Sequence, residues 1–194
     1  MVIKAALALD GQALAGKVTL RESFTAAYDT NVSGTHVLTH TFIPLLLKSD
    51  DPRLIFLAGL AGITTAAEKY FPTPPLPKGW PKPEFFETIG YRCSKVALNM
   101  LMLDWKHKLK EDGVKVRYVI HHGEPLPDKL SKIWAVGPGF LLTGLGGMPE
   151  IAETAKKMGA KHPSAGGDIL RRVAEGERDA DVGKVINKDG SSAL

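Results

Sequence analysis

Leu54-Ile55-Phe56-Leu57 is a run of apolar residues with no polar face, and no other stretch constrains the fold of this chain as strongly. A strand this uninterrupted reads as buried, because a sheet with one wet face would alternate apolar and polar side chains. A helical pattern precedes it, from Thr19 to about Lys48, and another follows, from Tyr91 to Asp112. Further short apolar stretches occupy Val2 to Leu9, Ile133 to Val136 and Val182 to Asn187. Strands alternating with helices predict a parallel, doubly wound α/β sheet, and 194 residues suit one domain spanning 1–194.

Local signals set the expected boundaries. Thr19 and Glu22 have the capping-box spacing, and the helix they open has a break near Asn31. Ser49-Asp50-Asp51-Pro52 ends it, and Asp10-Gly11-Gln12 reads as a loop. Gly113 takes the C-cap role after the helix that starts at Tyr91. Pro149 to Met158 and Pro163 to Ala174 read as two more helices, each with proline near its start, and Gly159 follows the first. Residues 64–90 hold Pro72, Pro74, Pro75, Pro77, Pro81 and Pro83 among aromatic residues, which excludes a helix or an inner strand.

Composition narrows the function classes. The net charge of +4 comes from basic residues interspersed with acidic ones, the pattern of solvated helix faces rather than of a nucleic-acid footprint. Cys93, the single cysteine, cannot form an internal disulfide and reads as a small buried hydrophobe. No apolar run reaches the length of a membrane-spanning helix, and Met1 to Leu9 is too short for a secretory signal, so a cytoplasmic location without membrane partners is expected. His36 with His40 and the adjacent His121-His122 lack a third ligand in a known spacing, so no metal site is expected.

The chemistry-bearing motif is Tyr91-Arg92-Cys93-Ser94-Lys95. Four-residue spacing on a helix stacks a phenol and an ammonium on one face. A cation beside a phenol favours the phenolate and brings its proton transfer closer to neutrality, the property a general acid/base requires. Upstream stands Asn31-Val32-Ser33-Gly34, and downstream Val136-Gly137-Pro138-Gly139 leads through Phe140 to Thr143. The order N-V-x-G, Y-x-x-x-K and a strand ending in P-G followed by threonine resembles the short-chain dehydrogenase/reductase family over roughly Leu7 to Gly190.

That resemblance implies a Rossmann-like fold and hydride transfer between NAD or NADP and a small carbonyl or alcohol substrate. It implies Tyr91 as proton donor or base, and Lys95 as the group that tunes Tyr91 and hydrogen-bonds the nicotinamide ribose. Asn31 would hold a relay water, and Pro138, Gly139 and Thr143 would lie along the nicotinamide half of the cofactor. It further implies a homo- or heterodimer built through the helices Leu20 to Lys48 and Tyr91 to Asp112. The proline-rich 64–90 excursion either walls a substrate pocket or is a surface insertion.

The chain departs from the family at several positions. Its first strands, helices and glycine-rich phosphate turn have no counterpart, and Thr143-Gly144-Leu145-Gly146-Gly147 stands too late in the chain to replace them. Where the family carries an N-N-A-G-like motif on its fourth strand, Ile3-Lys4-Ala5-Ala6 stands here, leaving that strand as an apolar sheet edge. Gly59 occupies the position of the carbonyl-polarising serine, with Thr64 and Thr65 as distant substitutes. Residues 116–132 interrupt what would be one strand from Gly113 to Pro138, as a retained in-frame intron or a true loop. Activity of this chain is therefore expected to be impaired, and a non-catalytic remnant or pseudoenzyme acting as a binding partner is the alternative.

Overall fold

The computed structural model describes residues 1–3, 6–57, 76–83, 88–109, 112, 133–136, 138, 141–145, 149–157, 159–181, 185–187 and 190–192. Among them, one sheet holds β1 (Val2–Ile3), β2 (Leu54–Leu57), β3 (Ile133–Val136), β4 (Val185–Asn187) and β5 (Gly190–Ser192) in that spatial order. The first four strands run parallel, with Leu57 beside Val136, and β5 returns antiparallel to β4. The helices are α1 (Asp10–Leu14), α2 (Leu20–Tyr28), α3 (Thr35–Leu46), α4 (Ile89–Lys108), α5 (Pro149–Lys157) and α6 (Ser164–Ala174).

β2 shows why the sheet is doubly wound. All its side chains are buried, and they divide by the two-residue period of a strand. Leu54 and Phe56 join Ile3 and the α4-side residues Leu98, Met102, Trp105 and Leu109 in one core. Ile55 joins Val136 with Ile169 and Val173 of α6 in the other. Arg53 fixes the entry to β2, its guanidinium donating at 2.7 Å and 3.1 Å to the two carboxylate oxygens of Asp179 and also pairing with Asp51.

The Thr19 capping box forms, with Thr19 N–H donating to Glu22 Oε2 at 2.7 Å and Glu22 N–H to Thr19 Oγ1 at 3.2 Å. The break near Asn31 takes the form of a π-helical segment, Asp29–Gly34, that joins α2 to α3 without interrupting the rod. A π turn widens the helix locally. Here the widened turn holds Asn31 fully buried.

Several boundaries differ from expectation. Asp10-Gly11-Gln12 is the opening of α1 rather than a loop, with Ala13 N–H donating to Leu9 O at 2.9 Å. α4 starts before Tyr91 and stops at Lys108, short of Asp112; Lys106, His107 and Lys108 in its last turn suit the negative end of the helix dipole. α3 ends at Leu46, ahead of Lys48. The hairpin partner β5 was not foreseen, because Gly190-Ser191-Ser192 carries no apolar alternation. Gly113, the 116–132 segment with His121-His122, and residues 64–75 and 84–87 of the proline-rich excursion lie outside the described residues.

β1 stands at the edge of the sheet and pairs only with β2 among the described strands. Beside it, Met1, Val2, Ile3, Leu38, Phe42, Leu45 and Leu46 line an open apolar groove of about 670 Å³. None of the residues of the site described next lines it.

Phe56 is fully buried and central to its core. Phe56→Ala is expected to destabilise the chain by about 3–5 kcal/mol in equilibrium urea unfolding, against about 1 kcal/mol for Thr19→Ala at the exposed cap.

Candidate active site

Lys95 is the centre of a polar cluster at the carboxyl end of β2. Residues Tyr91, Ser94 and Lys95 occupy the first turns of α4, where a helical period brings positions three and four apart onto one face. Lys95 Nζ lies 5.7 Å from the centroid of the Tyr91 ring and donates to Leu57 O, the last carbonyl of β2, at 3.0 Å. Lys95 is 1% exposed, whereas Tyr91 is half-buried. Loss of hydration lowers the Lys95 amine to about 8.

Asn31 reaches the same place from the π segment. Its Oδ1 accepts from Leu7 N–H at 2.8 Å, and its Nδ2 donates to Leu7 O at 3.0 Å and to Ser94 Oγ at 2.8 Å. Both amide hydrogens are thus committed to protein partners. Ser94 Oγ in turn donates to Tyr91 O at 2.7 Å. One chain of contacts therefore links the segment after β1, the π segment and the start of α4.

A buried carboxylate completes the helix start. Asp10 accepts from Gly90 N–H at 2.7 Å and from Tyr91 N–H at 3.3 Å. Ser94 and Asp10 were not singled out from sequence. Ser94 could have been, since it lies three residues from Tyr91 and precedes Lys95 on the same inward face. Asp10 carries only the weak signal of an acid after an apolar stretch, with its partners 80 and 81 residues away.

The remaining sequence candidates are distributed less tightly. Pro138 follows β3, which ends level with β2, and sits against α6, where a Cβ on Gly166 would meet Pro138 Cβ at 3.0 Å and Leu141 Cδ1 at 2.6 Å. A larger residue there would require Leu141 and Pro138 to shift. Thr143 is exposed, with Oγ1 accepting from Leu145 N–H at 3.3 Å. Gly139, Gly59, Thr64 and Thr65 lie outside the described residues. Cys93 is half-buried rather than fully buried.

The histidine pair is drawn into an aromatic cluster. Trp105 Nε1 donates to His36 Nδ1 at 3.2 Å, and the His40 ring lies 6.4 Å from that of His36. A neutral His36 accepting at Nδ1 carries its hydrogen on Nε2. That tautomer presents no free ring nitrogen to a metal. Among the described residues no group of three potential metal-binding side chains occurs, and no helix is long and apolar enough to cross a membrane.

No protein-family model matches the chain. It is 44% identical to the short-chain dehydrogenase/reductase tropE of Talaromyces stipitatus over 181 residues, 91% of this chain and 60% of that protein. It is 40% identical to the short-chain dehydrogenase/reductase eupG of a Phoma species over 88% of this chain and 57% of that protein. The chain thus spans less than two thirds of the length of these relatives. Among solved structures, NADPH-bound carbonyl reductase from chicken fatty liver shares the fold with a TM-score of 0.62 at 21% identity, over 100% of this chain and 64% of that one. The 3-oxoacyl-[acyl-carrier protein] reductase of Brucella melitensis in complex with NAD does so with a TM-score of 0.61 at 17% identity, over 96% and 64%.

The Lys95 amine makes stability depend on pH. In the unfolded chain it titrates at its ordinary 10.5, and in the folded chain at about 8. Below about pH 8 both states are protonated and the folded state carries the desolvation cost. Between about 8 and 10.5 the folded state has released a proton that the unfolded state retains, so stability rises with pH, by about 3 kcal/mol across the window. Urea unfolding at a series of pH values is expected to show this rise in the native chain and to lose it in Lys95→Met.

Proposed function

We propose, since the chain belongs to the short-chain dehydrogenase/reductase family, that it serves as an NAD(P)-dependent oxidoreductase acting on a small carbonyl or alcohol substrate. The observation that carries this reading is the half-buried Tyr91 phenol beside the buried Lys95 amine at the sheet end, with the Tyr91 backbone held by Ser94.

In this reading Tyr91 donates its phenolic proton to the carbonyl oxygen during reduction and accepts the alcohol proton during oxidation. Lys95, when protonated, favours the phenolate and so assists proton release from Tyr91. Asn31 keeps one lone pair on Oδ1 with which to hold a relay water, its two hydrogens being committed to Leu7 and Ser94. The nicotinamide cofactor, when bound, supplies or accepts the hydride. The donor set suits its nicotinamide half: the Lys95 ammonium would hold the ribose, and Pro138, Gly139 and Thr143 would line that end. Among the described residues no glycine-rich strand-to-helix turn offers itself for the phosphates.

In this reading residues 1–194 act as one partial Rossmann-like domain in the cytosol, with 64–90 bordering the substrate and 116–132 inserted. Val37, Phe42, Leu45 and Met100 on α3 and α4 leave large apolar side chains exposed, which supports pairing with a second chain through these helices.

Gly59, at the position of the family's serine, favours a second reading. Without that hydroxyl the carbonyl loses a donor, a change that typically lowers rates by about 10²–10³. The chain would then have impaired activity, or act as a non-catalytic partner of a complete relative.

Titration with NADH and NADPH by nicotinamide fluorescence, followed by turnover of a carbonyl panel, separates the two. Saturable binding at micromolar cofactor and turnover abolished by Tyr91→Phe are expected of the enzyme. Absence of binding up to millimolar cofactor by the folded chain would instead favour the non-catalytic partner.

A further inference from the structure

We propose that Asp10 is the positioning residue of Tyr91: its carboxylate caps the first turn of α4 from a distant segment and thereby fixes the backbone that carries the phenol. This rests on the reading of Tyr91 as acid/base.

A helix leaves its first N–H groups without intrahelical partners, and a serine, threonine or aspartate at the N-cap normally accepts from the second or third of them. Thr88 stands at the N-cap of α4 and is a residue of that kind. Yet its backbone, at φ −123° and ψ 48°, is not extended, and its hydroxyl makes no capping bond. Gly90 and Tyr91 are the second and third residues of the helix, and both N–H groups turn to Asp10 instead, one to each carboxylate oxygen. The cap is complete but comes from α1, 80 residues upstream.

The fit is close. Asp10 is 8% exposed, and a buried carboxylate is tolerated where hydrogen bonds and the positive end of a helix dipole compensate its lost hydration. A Cβ on Gly90 would meet Asp10 Oδ1 at 3.2 Å and Phe24 Cδ2 at 3.4 Å, so the carboxylate and ring leave little room for a side chain at this position. Tyr91 is then held at both of its peptide groups, with its N–H on Asp10 and its C=O on Ser94 Oγ, which Asn31 holds in turn.

The consequence is local. α4 is anchored in the core by Leu98, Met102 and Trp105, all beyond its first two turns. Loss of the cap should fray the turn bearing Tyr91 while the rest of the helix stays docked.

The test uses the full chain carrying Asp10→Ala or Asp10→Asn, with two readouts that need no turnover: amide hydrogen exchange by NMR, and the Tyr91 phenol titration taken as the difference from a Tyr91→Phe background. Asp10→Ala is expected to speed exchange at Gly90 and Tyr91 about fivefold, the factor for a typical lost cap, without changing Met102 to Lys108. It should also displace the Tyr91 titration by about half a pH unit or more. Asp10→Asn keeps one acceptor oxygen but neither the second nor the charge, and should restore protection at Gly90, whose bond is the shorter, more than at Tyr91. Gly90→Ala, which presses on Oδ1, should mimic Asp10→Ala and serves if that variant does not fold.

An unmoved Tyr91 titration in Asp10→Ala, equal exchange at Gly90 in Asp10→Ala and Asp10→Asn, or a uniform loss of protection along α4 would overturn the proposal. Failure of the acid/base reading would appear elsewhere, as turnover that survives Tyr91→Phe, and leaves these two readouts intact.

Discussion

The site depends on the side-chain amide of Asn31. It reproduces, with a side chain, the two-way pairing that a neighbouring strand would make, accepting from Leu7 N–H and donating to Leu7 O. Its remaining hydrogen goes to Ser94 on α4. Three segments distant in sequence are joined at a buried point, where an unsatisfied amide costs more than a formed bond contributes. The π segment follows from the same constraint. A regular α turn keeps its side chains on the outside of a narrower helix, whereas the widened turn at Asp29–Gly34 is where the fully buried Asn31 meets the polypeptide after β1.

From that joint the arrangement of Tyr91 and Lys95 follows. Ser94 is fixed by Asn31, and one residue later Lys95 passes inward to the last carbonyl of β2. β2 is rigid because both its faces are packed, on α4 and on α6. The amine is therefore placed by the two cores of the fold rather than by a loop. Its desolvation is the cost of that placement, and it leaves the ammonium closer to neutrality than an exposed lysine.

Much of this was legible in the sequence, and the limits have physical causes. Leu54 to Leu57 could be read as a buried strand because apolarity on both faces has no other use, and Thr19 with Glu22 gave a local cap that needs nothing beyond its own turn. The spacing of Tyr91 and Lys95 reads directly because helical period is local. Asp10 could not be read in this way. Next to Gly11 it looks like a loop residue, and what makes it the opening of α1 and the cap of α4 is a contact that forms only once the chain has folded. The end of α4 at Lys108 was missed for the opposite reason: Gly113 is a strong local stop signal, but the helix already closes at Leu109, whose side chain turns into the core.

The division between the legible and the illegible also divides the chemistry. The reacting groups, a phenol and an amine, are announced by residue type and spacing. The groups that hold them, Asp10, Ser94 and Asn31, are ordinary polar residues whose roles come from pairing across the fold. Such pairings act on the backbone of the first turn of α4, so the phenol is carried by a turn whose peptide groups are held on both sides. A phenol carried in that way is presented in a defined orientation, the condition that positioned proton transfer requires.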